Sequence, residues 1–230
     1  MLVYGRNVLK ELDRKKIKKI YVSSKELIPY LNKENLKYDL VPKQRLDNMT
    51  KGNHQGIIVE IHDYEYYTMN DIDSDFVVIL DHLEDPHNFG AIIRTCECAG
   101  ITNIIIPKDR SVTVNDTVVK VSVGAIEHVK IIMVSNLVNA INKLKDMNYF
   151  VYAADMGGEN YQSITYPKKK ALVIGNEGKG ISRLVEENCD FVVSIPMKGS
   201  INSLNASTSA GILIYGMNRN DWRRIKKYKW

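Results

Sequence analysis

The 230-residue chain carries 32 Lys and Arg against 27 Asp and Glu, a formal net charge of +5, which is enough length for one large domain or for a small one followed by a domain of about 150 residues. Its three cysteines, Cys96, Cys98 and Cys189, offer neither a paired framework nor the ligand spacing of a zinc site, so a disulfide scaffold is excluded, no metal is expected, and a reduced, cytoplasmic setting is. Arg6, Lys10, Arg14, Lys15 and Lys16 break up the first 20 residues, which excludes a signal peptide there, and no apolar run approaches the roughly 20 residues that span a bilayer.

The charge is uneven along the chain. Residues 1–61 hold 13 bases and 7 acids, residues 62–75 hold five acids and no base, and residues 76–230 hold 19 bases and 15 acids. Basic outer segments favour encounter with polyanions such as RNA, although a solvated lysine surface has the same composition.

In chain order, the first segment alternates helix and strand. Val8, Leu9 and Leu12 share a helical face, strands are expected over 17–22 and 56–61, a short helix over 26–32, and Leu40-Val41 forms a brief apolar run before Pro42. This is a small α/β module over 1–61. The acidic stretch 62–75 holds three tyrosines without a periodic apolar face, which reads as a linker or as a surface strand with aromatic caps. From Phe76 onward, short β-branched runs predict strands over 76–80, 103–106, 128–134, 150–154, 171–175 and 191–195. Helices are expected over 90–99, 137–147, 181–188 and 203–217. Strands alternating with helices imply a mostly parallel sheet covered on both faces, in a domain spanning 76–230, with ligands beyond the strand C-termini.

Three polar clusters fall at those C-termini. The first runs Asp81-His82-Leu83-Glu84-Asp85-Pro86-His87-Asn88, with Arg94 following; Asn88 is a candidate helix cap and Arg94, about one turn into the helix, a candidate ligand clamp. A salt bridge from Arg94 to Asp81 or Asp85 is the structural alternative. The second is Gly175-Asn176-Glu177-Gly178-Lys179-Gly180, whose spacing matches neither a dinucleotide fingerprint nor a phosphate loop. Glu177, flanked by glycine, is either a site acid or a turn-stabilising one. The third runs from Ile195-Pro196-Met197 through Ile201 and Asn202 to Ser203-Leu204-Asn205-Ala206, entering an apolar helix that Ser203 is placed to cap.

Taken together, the three clusters resemble the sequence motifs of the SpoU, or TrmH, family of RNA 2'-O-methyltransferases, over Val77 to Met217. Tyr4-Gly5-Arg6-Asn7 and Asn53-His54-Gln55-Gly56 resemble the small ribosomal-protein-like domain that precedes the catalytic domain in the RlmB type, which methylates guanosine in bacterial 23S ribosomal RNA. The resemblance implies S-adenosylmethionine as cofactor, bound in a deep trefoil knot, and a homodimer in which the first-motif arginine approaches the partner's pocket. It implies catalytic roles for Asn88, Arg94, Glu177, Ser203 and Asn205, and cofactor contacts at Gly175, Ile195, Met197 and Leu204. Ribosomal RNA or a precursor ribosomal particle is the implied partner. A transfer-RNA methyltransferase of the same family and a non-catalytic RNA-binding or ribosome-assembly protein are the alternatives.

Overall fold

A computed structural model of the chain describes residues 1–200 and 203–218, so Ile201 and Asn202 of the third cluster, and residues 219–230, lie outside the described residues. The N-terminal part contains β1 (Leu2–Tyr4), α1 (Arg6–Glu11), β2 (Ile17–Val22), α2 (Ile28–Lys33), β3 (Asp39–Leu40), α3 (Lys43–Met49) and β4 (Ile57–Ile61). Its strands form one sheet in the order β1-β4-β2-β3, with β4 antiparallel to both neighbours. Strand alternation sends Ile57, Val59 and Ile61 to one face and Ile58 to the other, where Leu46 of α3 covers it. Of α3, Leu46 alone is buried, so no apolar period announces that helix in the sequence.

The larger part contains β5 (Phe76–Leu80), α4 (Pro86–Cys98), β6 (Asn103–Pro107), α5 (Asp116–Ser122), β7 (Lys130–Val134), α6 (Leu137–Asp146), β8 (Phe150–Asn160), β9 (Lys170–Ile174), α7 (Arg183–Glu187), β10 (Phe191–Ser194) and α8 (Ala206–Met217). The six strands are all parallel, in the order β10-β8-β9-β5-β6-β7. β5, β6 and β9 are buried along their whole length, which is why they read as unbroken apolar runs rather than as alternating ones. Val78, Leu80, Leu172 and Ile174 pack with residues of α4, α5 and α8; Val77, Ile79, Ala171 and Val173 pack with those of α6 and α7. The chain builds outward from β5 through β6 to β7, then returns to place β9 on the other side of β5. The crevice beyond the ends of β5 and β9 is therefore a topological switch point, the usual ligand position in such sheets.

β8 departs most from expectation. Its pairing partner steps from Val192 opposite Ala153 to Val193 opposite Glu159, so residues 154–158 arch out of the ladder at the strand's C-terminal side. Gly158 makes the arch possible, because a Cβ there would lie 2.5 Å from the Val192 carbonyl carbon.

The acidic connection between the two sheets is held along β7. Tyr67 bridges to Ile132 in parallel pairing, and the Tyr66 hydroxyl accepts from Val114 N at 2.9 Å. The Tyr64 hydroxyl donates to Val129 O at 3.3 Å and accepts from Ile131 N at 3.2 Å. Burial pushes the Tyr64 phenol well above its ordinary range, so it stays protonated and able to donate. Lys16 pairs with Glu127 at 2.5 Å across the same junction. Tyr64→Phe removes both bonds and leaves the Ile131 amide without that acceptor. The expected cost is about 1–3 kcal/mol of global stability, measured by urea unfolding.

Candidate active site

The first loop turns into α4 through Asp85, which has extended backbone and accepts from His87 N at 2.9 Å, with Pro86 as the first helical residue. The cap is thus Asp85 and not Asn88. Freed from capping, Asn88 is 7% exposed in the first turn and faces inward. Its Nδ2 donates to Glu177 Oε1 at 2.9 Å, and its Oδ1 accepts from Asn205 Nδ2 at 3.0 Å.

Asn205, not Ser203, caps α8, which begins at Ala206. The Asn205 Oδ1 accepts from Ser207 N at 2.9 Å, Ser207 Oγ at 2.6 Å and Thr208 N at 3.3 Å. Backbone amides can only donate, so the cap fixes the polarity of the chain of contacts. Asn205 Nδ2 must donate to Asn88 Oδ1, and Asn88 Nδ2 is then left to donate to Glu177, which serves it as acceptor.

The second loop folds back on itself. Asn176 and Gly180 exchange two backbone bonds of 2.9 Å, and the Asn176 side chain accepts from Gly178 N and Lys179 N while donating to His82 O at 2.8 Å. Gly175 passes so close beneath that a Cβ would lie 2.2 Å from the Gly180 carbonyl carbon, and Gly180 has φ +69. Below the loop, Asp81 is 1% exposed; its Oδ2 accepts from Ser182 N at 2.6 Å and its Oδ1 meets His82 Nδ1 at 2.5 Å. One carboxylate therefore ties the end of β5 to the far end of the second loop.

The second and third loops border a cavity of about 360 Å³, within the range of small-molecule sites. Gly175, Glu177, Ile195, Met197, Ser203 and Leu204 line it, as do Ala154, Asp155 and Met156 from the arch of β8. The arch residues were not anticipated; the pair Gly157-Gly158 at the end of a β-run was the available signal. Asn88 and Asn205 stand behind Glu177. Arg94 is not brought to this cluster. The helix starts at Pro86, so Arg94 is more than two turns in, about 9 Å along the axis from Asn88 and on another side of the helix. It is exposed and makes no hydrogen bond or ion pair among the described residues. The bracing alternative fails as well: Asp81 is engaged by His82 and Ser182, and Asp85 by the α4 cap.

A parallel sheet with a cavity beyond the C-terminal ends of β9 and β10, walled by the two polar loops that follow them and by the arch of β8, defines an α/β small-molecule-binding protein. The family model described as "SpoU rRNA Methylase family" matches residues 75–215, and the one described as "RNA 2'-O ribose methyltransferase substrate binding" matches residues 2–67. YacO of Bacillus subtilis (strain 168), named as a TrmH family tRNA/rRNA methyltransferase, is 40% identical over 205 residues, 85% of this chain and 82% of its own. A TrmH family tRNA/rRNA methyltransferase of Staphylococcus haemolyticus (strain JCSC1435) is 38% identical over 95% of each chain. The crystal structure of the SpoU methyltransferase AviRb from Streptomyces viridochromogenes, in complex with AdoMet, superposes with a TM-score of 0.81 at 21% identity, covering 96% of this chain and 90% of that one. The chain belongs to the SpoU methylase family and is an S-adenosylmethionine-dependent RNA methyltransferase.

Asp81→Ala removes the buried acceptor of the Ser182 amide and of His82. It is expected to cost about 1–3 kcal/mol and to raise hydrogen exchange over the loop 175–182 more than elsewhere, checked by thermal unfolding and exchange mass spectrometry.

Proposed function

We propose that the protein methylates the ribose 2'-hydroxyl of a guanosine in 23S ribosomal RNA, acting in the cytoplasm on the RNA or on a precursor ribosomal particle. The single observation that carries the reading is the Glu177–Asn88–Asn205 chain of contacts at the cofactor-sized cavity, which joins one residue from each of the three motifs. The ribosomal choice is supported by the match of residues 2–67 to a substrate-binding domain, and the cytoplasmic one by three free thiols. The relatives named for both tRNA and rRNA support the transfer-RNA alternative equally.

The residues present fit S-adenosylmethionine. Gly175 brings backbone to the cavity without a Cβ, Ile195, Met197 and Leu204 give apolar walls, and Glu177 and Asp155 offer carboxylates suited to a cationic sulfonium. When bound, the cofactor supplies an electrophilic methyl group. The knotted path implied by the family belongs to this reading; its support is that the loops after β9 and β10 meet over one cavity. Glu177, held by Asn88, and Ser203 at the lining orient the ribose, and Asn205 holds Asn88 in register. A guanidinium stays protonated near neutral pH, so Arg94 acts as a clamp on phosphate and ribose, not as the base.

Arg94 reaches such a substrate by working in trans. Its exposure, the absence of a partner for it among the described residues and its separation from the local cluster support a two-fold dimer in which Arg94 of one subunit serves the cavity of the other. Beside it, α8 is apolar on several sides and leaves Tyr215 exposed.

Mapping 2'-O-methyl sites in total RNA from cells with and without the gene is expected to reveal one lost guanosine methylation in 23S RNA. A loss confined to transfer RNA overturns the ribosomal choice. Glu177→Ala is expected to lose methyl transfer while remaining folded. Mixing Arg94→Ala and Asn205→Ala chains, each inactive alone, tests the shared site. Random, complete exchange leaves roughly a quarter of all sites with every group intact, and activity recovers in proportion. Demonstrated exchange without recovered transfer counts against the trans arrangement.

A further inference from the structure

The rim of the large sheet carries basic groups that the cavity does not account for. β6 lies beside β5 on the side away from β9, so the segment after β6 stands two strand spacings, roughly 10 Å, from the end of β9 and its glycine-rich loop. That segment opens Lys108-Asp109-Arg110, and all three residues are exposed. Neither basic side chain makes a hydrogen bond or ion pair among the described residues, and Asp109 pairs with neither of them.

The segment is nonetheless fixed along its length. Lys108 N donates to Val134 O at 2.9 Å, at the end of β7. Val112 N donates to Leu83 O at 2.7 Å, and Ser111 Oγ donates to the same carbonyl at 3.2 Å, which fastens the turn to the loop that leads into Asn88. At its far end Val114 N donates to the Tyr66 hydroxyl at 2.9 Å, and the Val112 and Val114 side chains are buried. Arg110 itself is left-handed, with φ +51, a conformation that an arginine holds only where its surroundings impose it. A lysine or arginine that serves only to solvate a surface needs no such support.

The charges on the rim have a direction. The arch of β8, on the other side of β9, carries Asp155 and ends at the exposed Glu159, two acids that repel a phosphate backbone running that way. Lys179 projects from the glycine-rich loop at the cavity, and Lys108 and Arg110 follow on the β6 side of the first loop. A guanidinium presents a fixed fork of donors that matches a phosphate, and an ammonium adds a point charge.

We propose that Lys108 and Arg110 are substrate-positioning residues: they hold a backbone phosphate of the RNA strand beside the target nucleotide, so that the strand leaves the cavity over the ends of β5 and β6. The proposal rests on the RNA-methyltransferase reading and adds a substrate contact in the large part of the chain, outside the residues matched by the substrate-binding model.

Arg110→Gly is the variant that tests it, because glycine takes φ above zero without strain and so keeps the turn while removing the cation. The full chain is assayed with total RNA from cells without the gene and S-adenosylmethionine labelled in its methyl group. KM for RNA is expected to rise about tenfold, with kcat within about twofold of the parent. The slope of log RNA affinity against log salt, read by filter binding, is expected to fall by about one, and by about two when Lys108→Ala is added. Arg110→Lys keeps the charge and is expected to restore the slope and most of KM. Calorimetric affinity for S-adenosylmethionine should stay within about twofold in every variant, which separates a lost phosphate contact from a disturbed first loop. An unchanged KM and slope, a fall in kcat alone, a loss of cofactor affinity, or failure of Arg110→Lys to restore the slope overturns the proposal. A parent that transfers no methyl group strikes the reading beneath it instead, and the salt slope then still decides the phosphate contact.

Discussion

The site depends on one neutral amide held in a single orientation. Asn88 donates to Glu177, 89 residues away in sequence, and accepts from Asn205, 117 residues away, so it joins the loops that follow β5, β9 and β10. An aspartate at this position could not donate to Glu177 while ionised, and a leucine could join neither neighbour. The orientation is imposed from outside: the α8 cap dictates which end of Asn205 faces Asn88, and Asn205 dictates which end of Asn88 faces the carboxylate. A capping interaction, ordinarily a local matter of helix stability, here sets the hydrogen-bonding state of a residue on another helix.

Asp81 works as the complementary constraint from below. Its carboxylate is buried, yet both oxygens have partners, which is the condition for keeping such a group in an interior. Because one partner is Ser182 N and the neighbouring His82 carbonyl accepts from Asn176, both ends of the glycine-rich loop are referred to the end of β5. The glycines supply the close approach, and the two anchors keep that freedom from becoming disorder. Glu177 projects from the middle of this pinned loop, so its position is set by backbone geometry and by Asn88 together.

The sequence made legible what depends on burial and period. All six strands of the large sheet fall where β-branched runs place them, since a parallel sheet covered on both faces needs such runs. Elements with little to bury left little trace: α3 contributes Leu46 alone, and β1 has three residues. The cap assignments failed for a different reason. Asp85 and Asn88 are both good caps, and Pro86 decides between them, because it holds Asp85 extended and is itself suited to the first helical position. Ser203 and Asn205 posed the same choice. Once the neighbouring residue takes the capping role, the polar side chain left over is released for something else, and for Asn88 that is the bridge. The arch of β8 was hidden because it depends on the distant strand β10 skipping five residues of its neighbour, a nonlocal event that only the paired glycines foreshadow.

The two sheets are joined in a way that bears on how a large substrate is measured. The acidic connection does not swing free: Tyr64, Tyr66 and Tyr67 bond it to β7 and to the segment before α5, and Lys16 and Glu127 close the junction from the other side. Apolar residues of both parts, including Ile61 from the small sheet and Val119 of α5, belong to one continuous core. A flexible tether raises local concentration but leaves orientation open, whereas a bonded junction fixes the separation between one recognition surface and the next. An RNA that engages the small sheet is therefore presented to the cavity at a set distance and angle.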